Sequence, residues 1–513
     1  MTAAGSQAEK GLSTVTKKYG GIILLRPDRL TLTICDDHQH ILTQVQSGAL
    51  RVGDDQVANY LENMEAITTN LVGFQRVLKE YAVEPDRVAL YGDLADLDPV
   101  SAQYVGDQVA VRVGLKLRWL NKNQLLAQTL SLVWPRFKHA LGDQQLTGYV
   151  LSVGLESSTL AAYKNGEFVT SWDIDLGKAR INHLAENLRQ TTATPSDIIT
   201  DFISSKLEYL VSELSGQAAP VLLVQGVETL AQRYIQEGQH FAPVDQTSFK
   251  NRYRRILTAS DQYIIHQYAV DEQSVNWVLP SYLVVRQTMR LLRARRLYVT
   301  DLVQPSGLLA ASADRTPADH LVTLAADQLA ARYGSDADHK EFVTAVASQL
   351  FDALAPIHRL GDHYRLLLKL ACKVDDIGNF INPQGHYRHS AYIIEANPLI
   401  GISDEDNQII AEVSRYHSSE APEINQHHYR ELSADLRLPV AQLAAILRVA
   451  DSLDDSRQQK ITAISLKLKD DRLLIKAKAK DDLVLEKWAF LRKNKLFTQV
   501  YGLKPVLVVK GGK

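Results

Sequence analysis

The chain has 513 residues, 45% of them hydrophobic and 23% charged, with a formal net charge of −2. That length exceeds one hydrophobic core and points to roughly three or four domains, and the even charge excludes a global bias toward nucleic acid or an anionic membrane. Cys35 and Cys372 stand too far apart for metal-type spacing and fit a cytoplasmic protein, and no apolar run is long enough to span a bilayer.

Residues 1–20 are small and polar and read as a flexible tail without a signal-peptide core. Ile22–Leu25, Leu30–Cys35 and Ile41–Val45 then read as three consecutive antiparallel strands, separated by a turn at Arg26–Arg29 and another at Asp36–Asp37. Leu61, Met64, Ile67, Leu71 and Phe74 recur at helical spacing. The pattern returns over 147–177, where three strands are joined by a short turn and an Asn-Gly hairpin. Helices over 178–191 and 196–216 follow, then a buried strand at 220–226. Two such units, roughly 125 residues apart, predict a duplicated two-lobed architecture with a cleft between the halves.

From about Ser312 the periodicity is helical: 321–333, 340–354, 363–372, 389–395, 404–416 and 439–453. Residues 461–480 alternate as a hairpin turned at Asp470–Asp471, and a helix (483–500) and a strand (505–509) close the chain. The resulting division is a tail (1–20), a first lobe (21–145), a second lobe (146–311), a helical domain (312–456) and a C-terminal α/β segment (457–513).

The segment VDDIGNFINPQGHYRHSAY (374–392) resembles the exopolyphosphatase/guanosine pentaphosphate phosphohydrolase family, where a leucine-rich helix leads into His-Asp-Ile-Gly and then Gly-His-x-x-His-Ser-Ala-Tyr. LFDALAPIHRLGD (350–362), RYH (415–417), LRVADSLDD (447–455) and TDLVQPSGLLA (300–310) fall in the order that this family has them. The resemblance implies an actin-like (ribonuclease-H-like) pair of lobes followed by an HD-like helical domain. It also implies hydrolysis of terminal phosphoanhydride bonds in inorganic polyphosphate or guanosine pentaphosphate, with Mg²⁺ or another divalent cation, in a cytoplasmic homodimer that engages neither membrane nor nucleic acid.

The phosphate-binding parts of that family are worn here. Its first turn, Asp-x-Gly-Ser-Asn-Ser, aligns with Leu24-Leu25-Arg26-Pro27-Asp28-Arg29, which lacks the Asp and the Gly. Its second, Asp-Ile-Gly-Gly-Gly-Ser-Thr-Glu, aligns with 152–159, where Gly154 is the one glycine, Ser157 and Ser158 remain, and Glu156 adds negative charge. Gly226 stands for a third glycine pair. The position of the family's catalytic Glu falls at Gln124 or Leu125, and no carboxylate occurs between Asp107 and Asp143. Neither side chain can act as a base. A contrary reading rebuilds the site from Asp28, Asp93 and Glu156. No catalytic residue is assigned from the sequence.

In the helical domain, an HD-type site needs a His, a His-Asp pair and a late Asp to hold a divalent metal. The resemblance offers His358, Asp375, Asp376 and Asp451, with His386 and His417 for a second metal, and Asp375 replaces the His of the pair. Arg286, Arg290 and Arg293 recur on one helix face and form a candidate phosphate path, with a solvated face as the alternative. Three readings stand: an exopolyphosphatase-like hydrolase with a degenerate N-terminal site, a non-catalytic relative that binds polyphosphate, nucleotide or protein, and a metal phosphohydrolase acting through the C-terminal domain.

Overall fold

The computed structural model describes residues 19–36, 41–48, 50, 60–94, 97–189, 195–208, 210, 220–272, 274–302 and 317–510. The predicted tail up to residue 18 and most of the 300–310 stretch lie outside these. The chain divides into two compact units, 1–132 with 303–316, and 133–302 with 317–513.

The first unit is built on β1 (Tyr19–Leu25), β2 (Leu30–Asp36), β3 (Ile41–Gln46), β4 (Val88–Asp93) and β5 (Leu117–Leu120), in the order β3-β2-β1-β4-β5. The first three strands pair antiparallel, and β4 and β5 continue parallel to β1. Ile22–Leu25 is a continuous apolar run because both faces of β1 are covered. Ile23 and Leu25 share a core with Ile67, Leu71, Phe74 and Leu78 of α1 (Met64–Glu80) and with Val105 and Val109 of α2 (Pro99–Val113). Ile22 and Leu24 pack with Leu125 of α3 (Lys122–Leu141). The boundary between the units falls within α3.

The second unit opens with the meander β6 (Gly148–Val153), β7 (Ser158–Lys164) and β8 (Glu167–Ile174). Asn165 and Gly166 take positive φ of 52° and 84° at the hairpin, the conformation for which an Asn-Gly pair is favoured. Then come α4 (Lys178–Arg189), α5 (Pro195–Glu208), β9 (Val221–Gln225), α6 (Glu228–Tyr234), β10 (Phe241–Val244), α7 (Gln246–Thr258), α8 (Asp261–Tyr268), α9 (Val275–Leu291) and β11 (Arg296–Thr300). The sheet order is β10-β11-β9-β6-β7-β8. Apart from the antiparallel edge strand β10, this repeats the order and the strand senses of the first sheet. The duplication read from the sequence is therefore present in the topology of the two sheets.

The rest of the second unit is α10 (Pro317–Arg332), α11 (Ala337–His358), α12 (Asp362–Val374), α13 (His386–Ala396), α14 (Asp404–Arg415), α15 (His427–Glu431) and α16 (Ala434–Ser452). After them follow β12 (Ile461–Lys469), β13 (Arg472–Ala479), α17 (Val484–Lys493), α18 (Lys495–Tyr501) and β14 (Lys504–Lys510). α16 is buried nearly all round, as its run of Val, Ala, Leu and Ile requires. The helices and the C-terminal sheet share one core, in which Leu447 and Ala450 belong with Leu473, Ile475, Phe490 and Phe497. Asp470, at φ 52°, turns the β12–β13 hairpin where the sequence placed the turn.

Candidate metal centre in the helical region

The centre is assembled by a glycine contact. α12 ends at Val374 and delivers Asp375 and Asp376 into the interior, where both are buried. The chain then turns through a short 3₁₀ segment, Ile377–Phe380. A Cβ on Gly378 would run into the His386 carbonyl and the Ser390 amide, so only glycine lets this turn close onto α13. Ser390 Oγ accepts the Gly378 N–H at 2.9 Å and fixes the contact. Gly385, at φ 75°, starts α13 and sets His386 beside Asp376. His417 enters just beyond the end of α14.

His386 Nε2 lies 3.1 Å from His417 Nε2. Asp376 Oδ1 lies 3.5 Å from the first and 3.6 Å from the second. His386 Nδ1 faces the Pro383 carbonyl at 3.0 Å, and His417 Nδ1 faces the Ser414 carbonyl at 2.6 Å. A carbonyl oxygen only accepts, so each Nδ1 carries a hydrogen and each Nε2 is turned toward the carboxylate. This is the outer-shell arrangement that orients metal-ligating histidines. A point equidistant from the three atoms lies about 2.0 Å from each, within the usual range of ~2.0–2.2 Å for metal–nitrogen and metal–oxygen bonds. The donor set and its spacing therefore fit a divalent ion.

Electrostatics divides the pair of rings. Burial and the neighbouring His417 charge lower the pKa of His386. Burial opposes charge on His417, but the carboxylates of Asp375 and Asp376 outweigh it and raise its pKa. His417 is therefore the more basic of the two rings, and binding of a metal at both Nε2 atoms requires both to be unprotonated. Burial would raise Asp376, yet Lys340, His417 and Arg457 hold it well below the ordinary carboxylate range.

A network of ion pairs surrounds the centre. Lys340 Nζ bonds Asp375 and lies 2.8 Å from Asp376 Oδ2, and Arg457 Nη2 donates to the same oxygen at 2.6 Å. His339 places Nε2 3.2 Å from Asp451 and Nδ1 2.9 Å from Asp454. Burial opposes its charge, but those two hydrogen bonds lift its pKa to about 9. Lys493 bonds Asp451 and lies 3.3 Å from Asp455.

The residues expected for an HD-type site are thus partitioned. Asp376, His386 and His417 converge as potential ligands. Asp375 and Asp451 lie nearby but are already paired, with Lys340 and with His339 and Lys493. His358 is elsewhere: Nε2 faces the Phe351 carbonyl at 2.9 Å, Nδ1 accepts from Leu360 N–H, and the ring packs on Phe351. The histidine facing Asp451 is His339, which the sequence reading missed. Its signal there is only the His-Lys pair just after the Asp336 N-cap.

The expected phosphate residues are engaged otherwise. The Gly154 N–H donates to the Ser157 carbonyl, and Ser158 Oγ, buried, donates to the Leu176 carbonyl at 2.6 Å. Gly226 takes φ 75° with its Cα against the Val153 carbonyl. Arg286 stacks 4.6 Å from the Tyr253 ring, Arg290 donates to Gln287, and Arg293 lies past the end of α9 at φ 51°, so the three do not form one helical stripe. Gln124 and Asn121 exchange side-chain-to-backbone hydrogen bonds at 3.1 and 2.9 Å and cap α3.

The centre opens into a cavity of about 460 Å³ lined by His339, Asp376, His386 and His417, with Arg457, Trp488, Arg492 and Lys493 among the other wall residues. No helix among the described residues is long and apolar enough to cross a membrane.

Residues 323–499 match the family model described as Ppx/GppA phosphatase, domain III. Among solved structures, the Ppx/GppA family member of Aquifex aeolicus is similar at 15% identity, over 57% of this chain and 97% of that one, with a TM-score of 0.45. An exopolyphosphatase from Cytophaga hutchinsonii is similar at 14% identity, over 57% and 97%, with a TM-score of 0.46. The ethanolamine utilization protein EutJ from Carboxydothermus hydrogenoformans follows at 13% identity, over 57% and 90%, with a TM-score of 0.32. Over residues 323–499 this chain is therefore similar to domain III of the Ppx/GppA phosphatases.

Proposed function

We propose that this protein is a metal-dependent phosphohydrolase that works in its helical region, at Asp376, His386 and His417. The observation that carries this reading is the convergence of two Nε2 atoms and one carboxylate oxygen on a common point inside an open cavity. Two imidazoles and one carboxylate favour zinc or iron over magnesium, which prefers oxygen donors. A divalent ion held there supplies Lewis-acid activation of water and of a phosphoryl oxygen. Arg457, with 41% of its side chain exposed, and Arg492 and Lys493 give the cavity wall the cations that a phosphate needs. His339 keeps a proton at Nε2 on Asp451 and holds that carboxylate in place.

Inorganic polyphosphate and guanosine pentaphosphate are the substrates that the similarity to Ppx/GppA phosphatases puts first. The setting we assign is the cytoplasm, since two thiols in 513 residues suit a reducing compartment. The N-terminal lobes are assigned no chemistry, because Gln124 caps a helix and the Gly154 amide is spent within its own turn.

The test compares phosphate release from both substrates, with zinc, iron, manganese or magnesium, by the wild type, His417→Ala and Gln124→Ala. Activity lost in His417→Ala and kept in Gln124→Ala supports the helical site. The reverse pattern returns the chemistry to the lobes, and no release from any combination leaves a non-catalytic relative.

A further inference from the structure

Arg448 is a buried cation that no carboxylate neutralises. It stands on α16, is 8% exposed, and lines the metal cavity. Three main-chain carbonyls hold its guanidinium: Nη1 donates to Tyr416 at 2.8 Å and to Glu420 at 2.7 Å, and Nε reaches Lys493 at 3.5 Å. Nη2 takes no part in these bonds and is not closed off from solvent. Among the described residues no Asp or Glu forms an ion pair with Arg448, and Asp451 attracts it only at longer range. Burial pulls its pKa down to about 10, the sign of a charge held without its counter-charge. We propose that Arg448 grips the terminal phosphoryl group of the substrate, with Nη2 donating to a non-bridging phosphate oxygen.

The other cations of the wall are committed differently. Arg457 is held by Asp376, Lys493 bonds Asp451 and lies near Asp455, and Arg492 lies 4.4 Å over the Trp488 ring. Arg448 is the one among them that combines burial with an unpaired charge. Carbonyl dipoles satisfy its N–H groups but leave its full positive charge in a desolvated place, where an anion is worth more than in water. A phosphate oxygen supplies that anion, and a planar guanidinium suits it in geometry as well as charge. The carbonyls fix the plane beforehand, so little side-chain freedom is lost when the phosphate arrives. The two Nη1 bonds also bracket the segment 416–420, in which His417, Ser418 and Ser419 line the same cavity. One guanidinium thus ties the candidate metal ligand to the anion site, with two serine hydroxyls beside it as further donors. The assignment rests on the phosphohydrolase reading for its substrate, whereas its test needs no turnover.

The test is calorimetric titration of inorganic phosphate into the metal-free full chain at constant ionic strength. The wild type should bind phosphate, and Arg448→Lys should weaken that binding about tenfold or more, the usual effect of losing a hydrogen bond to a charged group. A role confined to bracing the fold would lower the urea midpoint of Arg448→Lys and leave phosphate affinity per folded molecule unchanged. Should Arg448→Lys fail to fold, Ser418→Asp, which sets a carboxylate on the cavity wall, decides the matter and should abolish phosphate binding. Wild type that does not bind phosphate at millimolar concentration, or either folded variant binding it as tightly as wild type, overturns the proposal. Phosphate bound through Arg448 by a protein that turns over neither substrate with any metal keeps the anion site and removes the hydrolase reading. Turnover with unchanged phosphate affinity in Arg448→Lys does the opposite.

Discussion

His386 and His417 turn their Nε2 atoms toward each other across 3.1 Å, because each Nδ1 is held by a backbone carbonyl. A divalent ion could bridge both nitrogens at that separation. The Asp376 oxygen equidistant from both supplies the third donor. The full chain should accordingly bind one equivalent of zinc with release of a proton. His417→Ala should lose that equivalent, as measured by metal content after dialysis and by calorimetry in two buffers of different ionisation enthalpy. An unchanged metal content in the variant contradicts the assignment.

Arg457 acts on the centre through Asp376. Its guanidinium holds Oδ2 and leaves Oδ1 aimed at the two rings. Arg457→Ala should weaken zinc binding about 10–100-fold, the usual effect of removing an outer-shell partner. Competition with a chromophoric chelator reads this directly. Equal affinity in variant and wild type removes Arg457 from the positioning role.

Lys340 is buried against Asp375 and Asp376, and Asp375 Oδ2 has no hydrogen-bond partner to compensate for a lost cation. Lys340→Ala should destabilise the protein by about 3–5 kcal/mol, the range for breaking one side of a buried pair. Pairing it with Asp375→Ala should recover much of that loss. Urea denaturation of the single and double variants measures both, and a mild single-variant effect means that water reaches the pair.

How much of this centre could be read in the sequence depended on the distance over which its parts meet. Asp376 and His386 are ten positions apart and share a glycine-tethered turn, so their motif was legible as a unit. The partners of His339 lie 112 and 115 positions away, and nothing local marks it apart from the start of a helix. His358 stands out in the sequence only through the resemblance of its helix to the family's. The structure spends both of its nitrogens on nearby backbone. The sheets were legible because buried strands on both sides of an Asn-Gly turn carry their own signal. Arg293 departed from the stripe because α9 ends at Leu291, before the third arginine. The absence of a carboxylate at Gln124 is plain in the sequence, but its capping role needed the reciprocal bonds to Asn121.

That role is itself testable. Gln124→Ala should cost about 0.5–2 kcal/mol of stability, the range for helix-cap deletions, with phosphate release per folded molecule unchanged. Denaturation and activity measured on one preparation separate a cap from a catalytic group.

His363 supplies a pH signature away from the metal. Its hydrogen bond to Asp406, at 2.7 Å, raises its pKa against the opposing effect of burial. A raised imidazole pKa adds stability that is fully present below about pH 6.5 and is lost as pH rises through the folded-state value. The side chain is 57% exposed, so solvent screening keeps the effect small. The denaturation midpoints of wild type and His363→Ala should differ at pH 5.5 and converge near pH 9. A gap that widens with pH has the wrong sign for this pair.

The most direct measurement is phosphate release during titration of zinc or iron into metal-free protein. Release should rise with metal, saturate at one equivalent per chain, and be absent throughout in His417→Ala. Release that ignores the metal, or that follows the same curve in His417→Ala, would place the chemistry outside Asp376, His386 and His417.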